Sequence, residues 1–382
     1  PLKKAQRTIY KDLIKSIEKN SSSLQTKRNG YLYYSTYSED NEYPVYYRKA
    51  IKNDSVQELL NVNKMAKDKG YYNAGIGPVS PNNQLISVYE NTTGKDEYIL
   101  KIKDLRNNMF LSDSINNVGN MVWLDNSTFL YVDVEKETFQ ASKVYRHIIG
   151  TDATYDSIIY EEKDPSFSVS IAKTKSKEYI FLNTGNSVSS ESWFLKTNTP
   201  KGQFKVVRPR EKNHIYHTTH YKDKFYILTN KNAINYKVVT TTIDDILKDN
   251  WKDFIPHQDG ILIQNFQIFG NYFVINEKEN AQSRIKIIDQ STNESHFIKT
   301  EDDFYNIGIG YNPDFKTDSL QFNYSSFETP LTTYNYNMKT KEKSLLKQHG
   351  NSNALPFINY VIERKWVTAK DGKKIPLTLI SN

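Results

Sequence analysis

The feature that most constrains this chain of 382 residues is a pattern that recurs seven times along its length. Each copy is a run rich in aromatic or β-branched residues, followed by a polar turn and a second such run. The first runs begin at Tyr31, Leu85, Phe129, Tyr179, Phe225, Tyr272 and Leu320. Successive starts lie 44 to 54 residues apart, which is long enough for the four short strands and turns of one β-propeller blade. The sequence therefore predicts an all-β fold with seven blades.

The runs themselves argue against a helical repeat. Their apolar residues alternate or are continuous, whereas a helical solenoid needs an apolar spacing near 3.6 residues. The chain also contains 28 Tyr and 18 Phe. This composition suits many short sheets that pack face to face through aromatic rings, and not one thick aliphatic core.

Charge and composition exclude several kinds of partner. The formal charge of +7 comes from basic residues that are spread along the chain among 44 acidic ones, with no Lys/Arg block, so we expect no nucleic-acid partner. No apolar stretch approaches the roughly 18 residues of a membrane helix, so we expect a soluble protein with no membrane partner. The absence of cysteine excludes disulfides and thiolate chemistry and leaves the redox compartment undetermined.

Residues 1–20 do not share the repeat. Ile9, Leu13, Ile14 and Ile17 fall on one face of a predicted helix, with lysines opposite. A second short helix, with Leu59, Leu60 and Met65 in one stripe, is predicted near residues 56–65 as an insertion in the first blade. Because the chain begins with Pro1 and no leader follows, we expect a processed or excised chain.

The order of elements also predicts how the propeller closes. A helical N-terminal segment cannot lend a strand to the last blade, so the seventh blade must be completed from its own side, at residues 334–347. The first and last blades would then meet by side-chain packing without a hydrogen-bonded ladder. Opening such a seam breaks no ladder of backbone hydrogen bonds, so it costs less free energy than opening an intact sheet. We therefore hypothesise that the ring can separate at this seam.

The repeat stops after Leu346, and the remaining residues predict a different structure. Residues 360–367 and 375–380 are apolar strands that flank the Asp371-Gly372 turn, which is a hairpin pattern. A lone hairpin needs a further sheet for stability. We therefore predict a propeller over residues 21–350, and over residues 351–382 a linker and the start of a second, truncated domain.

The sequence contains no recognisable catalytic constellation. It lacks G-x-S-x-G and P-loop patterns, and the nearest fragments, at 185–187 and 350–352, lie in polar loops. In a strand, His214 and His220 would face one way and His217 the other, so a metal site there is a minor alternative. The acidic runs at 161–162 and 301–303 could attract basic ligands, or could simply be solvated loops. We predict no catalytic, cofactor-binding or metal-binding residue in this chain, and no cofactor.

Several stretches, in order along the whole chain, carry a specific likeness. They include R-H-x-x-G-T at 146–151, Y-E-E-K-D at 160–164, and the stretches 29–34, 43–46, 59–63, 208–211, 225–230, 363–366 and 369–372. In combination these stretches resemble the oligopeptidase B branch of the prolyl oligopeptidase family of serine peptidases.

The resemblance implies a two-domain serine protease. In that family a seven-bladed propeller caps an α/β-hydrolase domain, which carries a Ser–Asp–His triad and cleaves short peptides after Arg or Lys. The resemblance implies that the hydrolase half is missing after Asn382, so no triad residue can be assigned and we expect this chain alone to be inactive. Arg146, Glu161, Glu162 and Arg210 match family positions, where each could hold blades together or touch substrate.

Two hypotheses about function follow. The first is a gating, size-selecting propeller whose partners are basic peptides and the missing hydrolase domain, in a cytoplasmic or periplasmic protein. Its moving parts would be the seam and a hinge around residues 348–365. Residues 1–20 would dock on the missing domain or pack on the propeller. The alternative is a free-standing propeller that acts as a binding or scaffold module, against which the unfinished hairpin argues.

Overall fold

The structure, a computed structural model, describes residues 2–16, 20–197, 199, 201–246, 250–349 and 361–381. The chain divides into two compact units, one of residues 20–256 and one of residues 1–19 with 257–382. Within the described ranges, the strands form one five-stranded sheet, six four-stranded sheets and one two-stranded hairpin. The chain begins with helix α1 (Leu2–Ser16), whose apolar Ile9, Leu13 and Ile14 are exposed.

The unit of residues 20–256 contains the first five sheets, each built from consecutive antiparallel strands. Blade 1 contains β1 (Ser21–Ser22), β2 (Thr26–Arg28), β3 (Tyr31–Tyr37), β4 (Val45–Ala50) and β5 (Val56–Asn61), and is followed by helix α2 (Val62–Ala66). Blade 2 contains β6 (Asn73–Val79), β7 (Leu85–Asn91), β8 (Ile99–Asp104) and β9 (Met109–Ile115). Blade 3 contains β10 (Val118–Trp123), β11 (Thr128–Val134), β12 (Ala141–Ile148) and β13 (Ser157–Glu161), with the 3-10 helix η1 (Ala153–Tyr155) before its last strand.

Blades 4 and 5 complete this unit. Blade 4 contains β14 (Ser168–Lys173), β15 (Tyr179–Gly185), β16 (Ser190–Lys196) and β17 (Lys205–Arg208). Blade 5 contains β18 (Tyr216–Tyr221), β19 (Lys224–Thr229), β20 (Lys237–Thr242) and β21 (Lys252–Ile255).

The second unit holds two further blades and the hairpin. Blade 6 contains β22 (Ile261–Ile268), β23 (Tyr272–Glu279), β24 (Gln282–Asp289) and β25 (Ser295–Phe297). Blade 7 contains β26 (Tyr305–Ile309), β27 (Ser319–Ser326), β28 (Thr332–Asn337) and β29 (Lys343–Gln348). The hairpin pairs β30 (Val361–Thr368) with β31 (Lys374–Ser381) through a turn in which Gly372 has φ +82°.

The predicted seven-bladed, all-β propeller is confirmed, and the repeated runs are the second and third strands of the blades. In blades 3 and 4 the second strand is the most buried, because both of its faces pack against neighbouring blades. In β11, Phe129 packs toward blade 2, while Leu130 and Val132 pack with Ile171 and Ile180 of blade 4. The core is therefore divided into layers between adjacent blades.

The second predicted helix is partly wrong. Val56–Asn61 is a strand that pairs with β4 and closes blade 1, because the polar–apolar sequence at 56–61 fits the outer edge of a sheet. The helix starts only at Val62. Asn61 caps it, since its Oδ1 accepts a hydrogen bond from the backbone N–H of Lys64 at 3.1 Å.

The described residues test only some of the predictions for the two ends of the chain. Blade 7 is completed by its own strands β28 and β29, and the predicted hairpin is present. The separable seam and the domain boundaries at residues 20 and 350 stay predictions. Residue Ile17, the fragment 350–352 and most of the hinge at 348–365 lie outside the described residues. No helix of the described chain is long and apolar enough to cross a membrane.

Candidate functional site

Each four-stranded blade has two distinct ends. Four antiparallel strands reverse direction three times, so the first strand begins and the fourth strand ends on the same side of the blade. We call this side the connection end, because it carries the connections between blades and the turn between the second and third strands. The opposite side, with the turn between the first and second strands, is the turn end.

A guanidinium group lies between two carboxylates at the connection end of blades 3 and 4. Arg210 follows β17, Glu162 follows β13, and Glu191 lies on β16. The Arg210 guanidinium forms an ion pair with Glu162 and lies 3.6 Å from Glu191 Oε1, while the Arg210 backbone N–H donates to Glu191 Oε2 at 2.7 Å. The guanidinium lies 4.0 Å from the centre of the Phe167 ring. The arginine side chain is 29% exposed, against 5% and 9% for the two carboxylates.

Neutral donors complete this arginine cluster. They are Tyr160 Oη at 3.1 Å, Thr184 Oγ1 at 2.9 Å and the Asp164 backbone N–H at 3.0 Å, all to Glu162, and Trp193 Nε1 at 2.8 Å to Glu191. Burial alone would raise the pKa of Glu162, but the hydrogen bonds, that from Arg210 first, outweigh burial and hold this pKa below its ordinary value. Glu162 and Arg210 therefore stay charged at neutral pH, and the cluster joins blade 3 to blade 4.

The sequence left two possible roles for Arg146, Glu161, Glu162 and Arg210, namely to hold blades together or to touch substrate. Glu162 and Arg210 hold blades together in this structure. Glu161 is half exposed, 3.7 Å from Lys143, while the Arg146 Nε is buried and has no hydrogen-bond partner among the described residues. Contact of any of the four with substrate stays a prediction.

A second buried cluster, which the sequence did not indicate, joins blades 2 and 3. His147 on β12 lies between Asp113 on β9 and Asp156, which follows η1, with Nε2 to Asp113 Oδ1 at 3.0 Å and Nδ1 to Asp156 Oδ1 at 2.9 Å. Asp113 also accepts from the Gly150 backbone N–H at 2.7 Å, and Asp156 from the Tyr131 hydroxyl at 3.0 Å. The R-H-x-x-G-T run at 146–151 thus supplies both His147 and Gly150 to this histidine cluster.

The charge state of the histidine cluster depends on pH. Burial alone would lower the pKa of His147, but Asp113 and Asp156 outweigh burial and raise it above its ordinary value. Burial raises the pKa of Asp156, whereas the bonds from His147 and Gly150 overcome burial at Asp113 and lower its pKa. All three side chains are only 1–2% exposed, so the cluster holds blades together and reaches no solvent-borne substrate.

The three clustered histidines do not converge. His217 and His220 lie on β18, as the strand interpretation requires, and His214 precedes it. His214 Nε2 pairs with Thr229 Oγ1 at 2.8 Å, whereas His220 Nδ1 pairs with Ser176 Oγ at 2.8 Å. Burial lowers the pKa of both His214 and His220. Over the ranges that the structure covers, no three or more His, Cys, Asp or Glu side chains are placed to hold a metal ion.

Of the acidic run at 301–303, Glu301 and Asp302 line a small cavity in blade 7. Glu301 pairs with Lys343 at 2.7 Å, and Asp302 accepts a hydrogen bond from the Tyr324 hydroxyl. The cavity measures about 60 Å³ and is also lined by Lys299, Tyr324 and Lys343. That the chain has no catalytic, cofactor or metal residue stays a prediction.

The hairpin contacts the connection end of its own unit. Arg364 on β30 donates from Nη1 to the Asn280 carbonyl at 3.2 Å, in the turn between β23 and β24, and lies 5.1 Å from the Phe304 ring centre. The pairing register places Val367, Ile375, Leu377 and Leu379 on the opposite face from Arg364, and these four are exposed. The hairpin therefore presents a mainly apolar face at the connection end, with the Glu363–Lys365 ion pair on the same face.

The chain is similar to known peptidases over almost all of its length. The family model "Prolyl oligopeptidase, N-terminal beta-propeller domain" matches residues 1–349. Dipeptidyl aminopeptidase BI of Pseudoxanthomonas mexicana is 33% identical over 400 residues, which cover 100% of this chain and 55% of that protein. Protease 2 of Moraxella lacunata is 25% identical over 389 residues, which cover 100% of this chain and 56% of that protein. The chain thus spans about half the length of these relatives.

Solved structures give the same fold. Oligopeptidase B from Leishmania major superposes with a TM-score of 0.88 at 22% identity, over 98% of this chain and 55% of that one. Oligopeptidase B from Trypanosoma brucei, in a closed form with covalently bound antipain, gives a TM-score of 0.86 at 26% identity, over the same shares of the two chains.

Proposed function

Since this chain belongs to the prolyl oligopeptidase family, whose N-terminal β-propeller model matches residues 1–349, we propose that it is the size-selecting part of a serine-type oligopeptidase. An α/β-hydrolase domain that follows the propeller supplies the Ser–Asp–His triad. The propeller covers the active site, admits flexible peptides and excludes folded proteins and water. The family match is the observation that carries this proposal.

The hairpin supports a domain that packs on the connection end. A two-stranded hairpin is marginally stable alone, and the apolar face of β30 and β31 is exposed. Further strands of the hydrolase domain extend and cover this sheet. Arg364 then fixes the domain to blade 6 through the Asn280 carbonyl.

Helix α1 supports the same arrangement. Ile9 is 61% exposed and Leu13 is 58% exposed, so this face of the helix presents large apolar side chains to solvent. Exposed apolar side chains at helical spacing are typical of a docking face. We assign this face to the hydrolase domain.

For substrate specificity, the resemblance to oligopeptidase B favours cleavage of short peptides after Arg or Lys. The fold is also that of a Trypanosoma brucei oligopeptidase B solved with covalently bound antipain. In this proposal the hydrolase domain supplies most of the acidic residues that select the basic side chain.

A second candidate specificity is removal of dipeptides from a peptide N-terminus. It is favoured by the 33% identity to a dipeptidyl aminopeptidase across the whole chain. An enzyme of this kind must recognise a free N-terminal ammonium two residues before the cleaved bond. A blocked N-terminus therefore separates the two candidates.

The test compares the product of the complete reading frame with the 382-residue chain. Each is assayed on two fluorogenic peptides that end in Arg, one with a blocked N-terminus and one a free dipeptide. The same peptides with Gln in place of Arg are the matched controls. We expect the complete protein alone to cleave, to prefer Arg, and to be inactivated by a serine-directed fluorophosphonate.

Each outcome has a distinct meaning. Cleavage of the blocked peptide assigns the endopeptidase activity, and cleavage of only the free dipeptide assigns the dipeptidyl activity. A complete protein that cleaves neither, or a reading frame that ends at Asn382, contradicts the proposal and leaves a free-standing binding or scaffold propeller. Cleavage by the 382-residue chain would contradict the assignment of the triad to another domain.

A further inference from the structure

The cavity in blade 7 lies where the chain enters this blade. Residues 299–302, which join β25 to β26, all line it. The strands of blade 7 contribute Phe322, Tyr324, Tyr334 and Lys343. All of these residues belong to the unit that contains residues 257–382. The cavity is therefore built within one compact unit, and the proposed peptidase function does not use it.

Aromatic rings form the apolar part of the lining. The Tyr334 ring stacks with Phe322, with 5.4 Å between ring centres, and meets Tyr324 edge-on at 6.3 Å. Phe322 and Tyr324 are buried, which fixes the position of these rings. Lys343 Nζ lies 5.4 Å from the centre of the Tyr334 ring, so the cavity already accommodates one ammonium group beside an aromatic face.

The four charged groups of the cavity are not all matched within the chain. Glu301 pairs with Lys343 at 2.7 Å. Asp302 accepts a hydrogen bond from the Tyr324 hydroxyl, which is neutral because burial, and then this bond, raise the Tyr324 pKa. Across the described ranges, Asp302 has no cationic partner, and the Lys299 ammonium has neither an ion-pair nor a hydrogen-bond partner. One negative and one positive group of the same cavity are therefore unpaired.

This arrangement differs from that of the arginine cluster, in which the chain itself supplies a partner for every charged group. The hydroxyls of Thr300 and Thr329 also line the cavity, and neither has a hydrogen-bond partner in the part of the chain that the structure describes. Charged groups that lose water without gaining a partner are costly. A ligand that enters the cavity must therefore bring a positive and a negative charge of its own.

The size of the cavity favours a compact ligand. At roughly 10–15 Å³ for each water-sized group, a volume of about 60 Å³ holds several such groups. The ammonium, α-carbon and carboxylate of a free amino acid are groups of this size. In a peptide, each further residue moves the two terminal charges apart by up to about 3.3–3.6 Å. A free amino acid therefore suits the cavity better than a peptide does.

We propose that the blade 7 cavity binds a free α-amino acid. Asp302 accepts hydrogen bonds from the ligand ammonium and Lys299 donates to its carboxylate, so both unpaired groups gain charge-assisted hydrogen bonds. The Thr300 and Thr329 hydroxyls supply further hydrogen bonds. The aromatic rings provide an apolar surface for an aliphatic or aromatic side chain, so leucine is the first probe.

Isothermal titration calorimetry of the 382-residue chain tests this proposal. The ligands are leucine, leucinamide, which lacks the carboxylate, and N-acetylleucine, which lacks the ammonium. We expect leucine to bind about tenfold more tightly than either analogue, because each analogue loses one charge-assisted contact. Leucylglycine, whose two charges are further apart, should also bind less tightly than leucine.

Two variants assign each ligand charge to its residue. Asp302→Asn should weaken leucine binding about tenfold and leave N-acetylleucine binding unchanged, since this analogue has no ammonium for Asp302 to hold. Lys299→Met should weaken leucine binding by a similar factor and leave leucinamide binding unchanged. Asp303→Asn and Lys339→Met are the matched controls, because both residues are exposed and lie outside the cavity lining. Neither control should alter binding.

Both variants should fold, since asparagine still accepts the hydrogen bond from Tyr324 and Lys299 is exposed. Failure of leucine to bind up to its solubility limit overturns the proposal. So does equal binding of leucine and either analogue, or leucine binding that either variant leaves unchanged. Tighter binding of leucylglycine would show that the amino-acid assignment is wrong. The measurement requires no cleavage, so a negative result is distinct from failure of the proposed peptidase function.

Discussion

The arginine cluster and the histidine cluster use the same arrangement with different cations. In each, two buried carboxylates hold one cation between neighbouring blades, and a tyrosine hydroxyl donates to one of the carboxylates. Arg210 is the cation between blades 3 and 4, and His147 is the cation between blades 2 and 3. The guanidinium keeps its charge at any physiological pH, whereas the imidazole titrates.

This difference predicts which contact between blades is sensitive to pH. Buried carboxylates are costly unless a cation and hydrogen bonds compensate them. At the contact between blades 3 and 4, the Arg210 cation compensates the buried carboxylates at all working pH values. The blade 2–3 contact is fully compensated only while His147 holds its proton, so the two contacts should respond differently when the pH rises.

The largest expected effect is that of Arg210→Met. The variant leaves the buried Glu162 and Glu191 without their cation, so we expect the free energy of unfolding to fall by about 3–5 kcal/mol. Urea denaturation measures this change. The loss should be the same at pH 6 and pH 9, because the guanidinium is charged at both. A loss below about 1 kcal/mol would mean that the cluster does not join the blades.

A smaller and pH-dependent effect is expected for His147→Gln. The folded-state pKa of His147 is raised above the unfolded value of 6.5, so its stabilisation is full below pH 6.5 and is lost as the pH rises through the folded pKa. Glutamine still donates one hydrogen bond. We expect a loss of about 2–3 kcal/mol at pH 6.

The two variants should differ in how their loss of stability depends on pH. The stability difference between the parent chain and His147→Gln should narrow as the pH is raised from 6 to 9. Urea denaturation at several pH values measures it. A gap that stays constant or widens would show that His147 is neutral in the folded chain and that the two clusters do not differ as described.

The tyrosine hydroxyls provide a matched pair of smaller changes. Tyr160→Phe removes the donor to Glu162, and Tyr131→Phe removes the donor to Asp156. Each variant leaves a charged acceptor with one hydrogen bond fewer, so we expect a loss of about 1 kcal/mol in each. The shift of the urea midpoint measures it, with an unchanged m-value as the sign that the fold is retained. No shift in either variant would indicate that water replaces the hydroxyl.

The smallest effect is expected for Lys49→Met in blade 1. Its ion pair with Asp54 at 2.7 Å is exposed, since 35% of the lysine and 79% of the aspartate side chain face solvent. We expect a loss below about 0.5 kcal/mol that disappears at high salt. A loss as large as that of Arg210→Met would contradict the use of burial to rank these charged pairs.

The sequence predicted the blades well because it records burial. The second strands of blades 3 and 4 each lie between two other blades, so both of their faces are apolar, as in β11 and β15. First and fourth strands, such as β14 and β25, carry mixed polar residues because one side lies at an edge. The wrong helix at 56–61 arose at such an edge strand.

The charged clusters were out of reach for a different reason. Asp113 and His147 are 34 residues apart in sequence, and Glu162 and Arg210 are 48 apart. No local spacing brings such residues together, because their contact depends on how one blade packs on the next. The Y-E-E-K-D and R-H-x-x-G-T runs marked these places but could not indicate the partners.

The most direct test of the proposed function measures kcat/KM against substrate length, using the complete protein and peptides with one Arg. The series runs from a pentapeptide to a long unstructured peptide, and ends with the same Arg in an exposed loop of a folded protein. A size-selecting propeller predicts rapid cleavage of short peptides, a steep fall with length, and no cleavage of the folded protein. Equal rates on short peptides and on the folded protein would contradict the account.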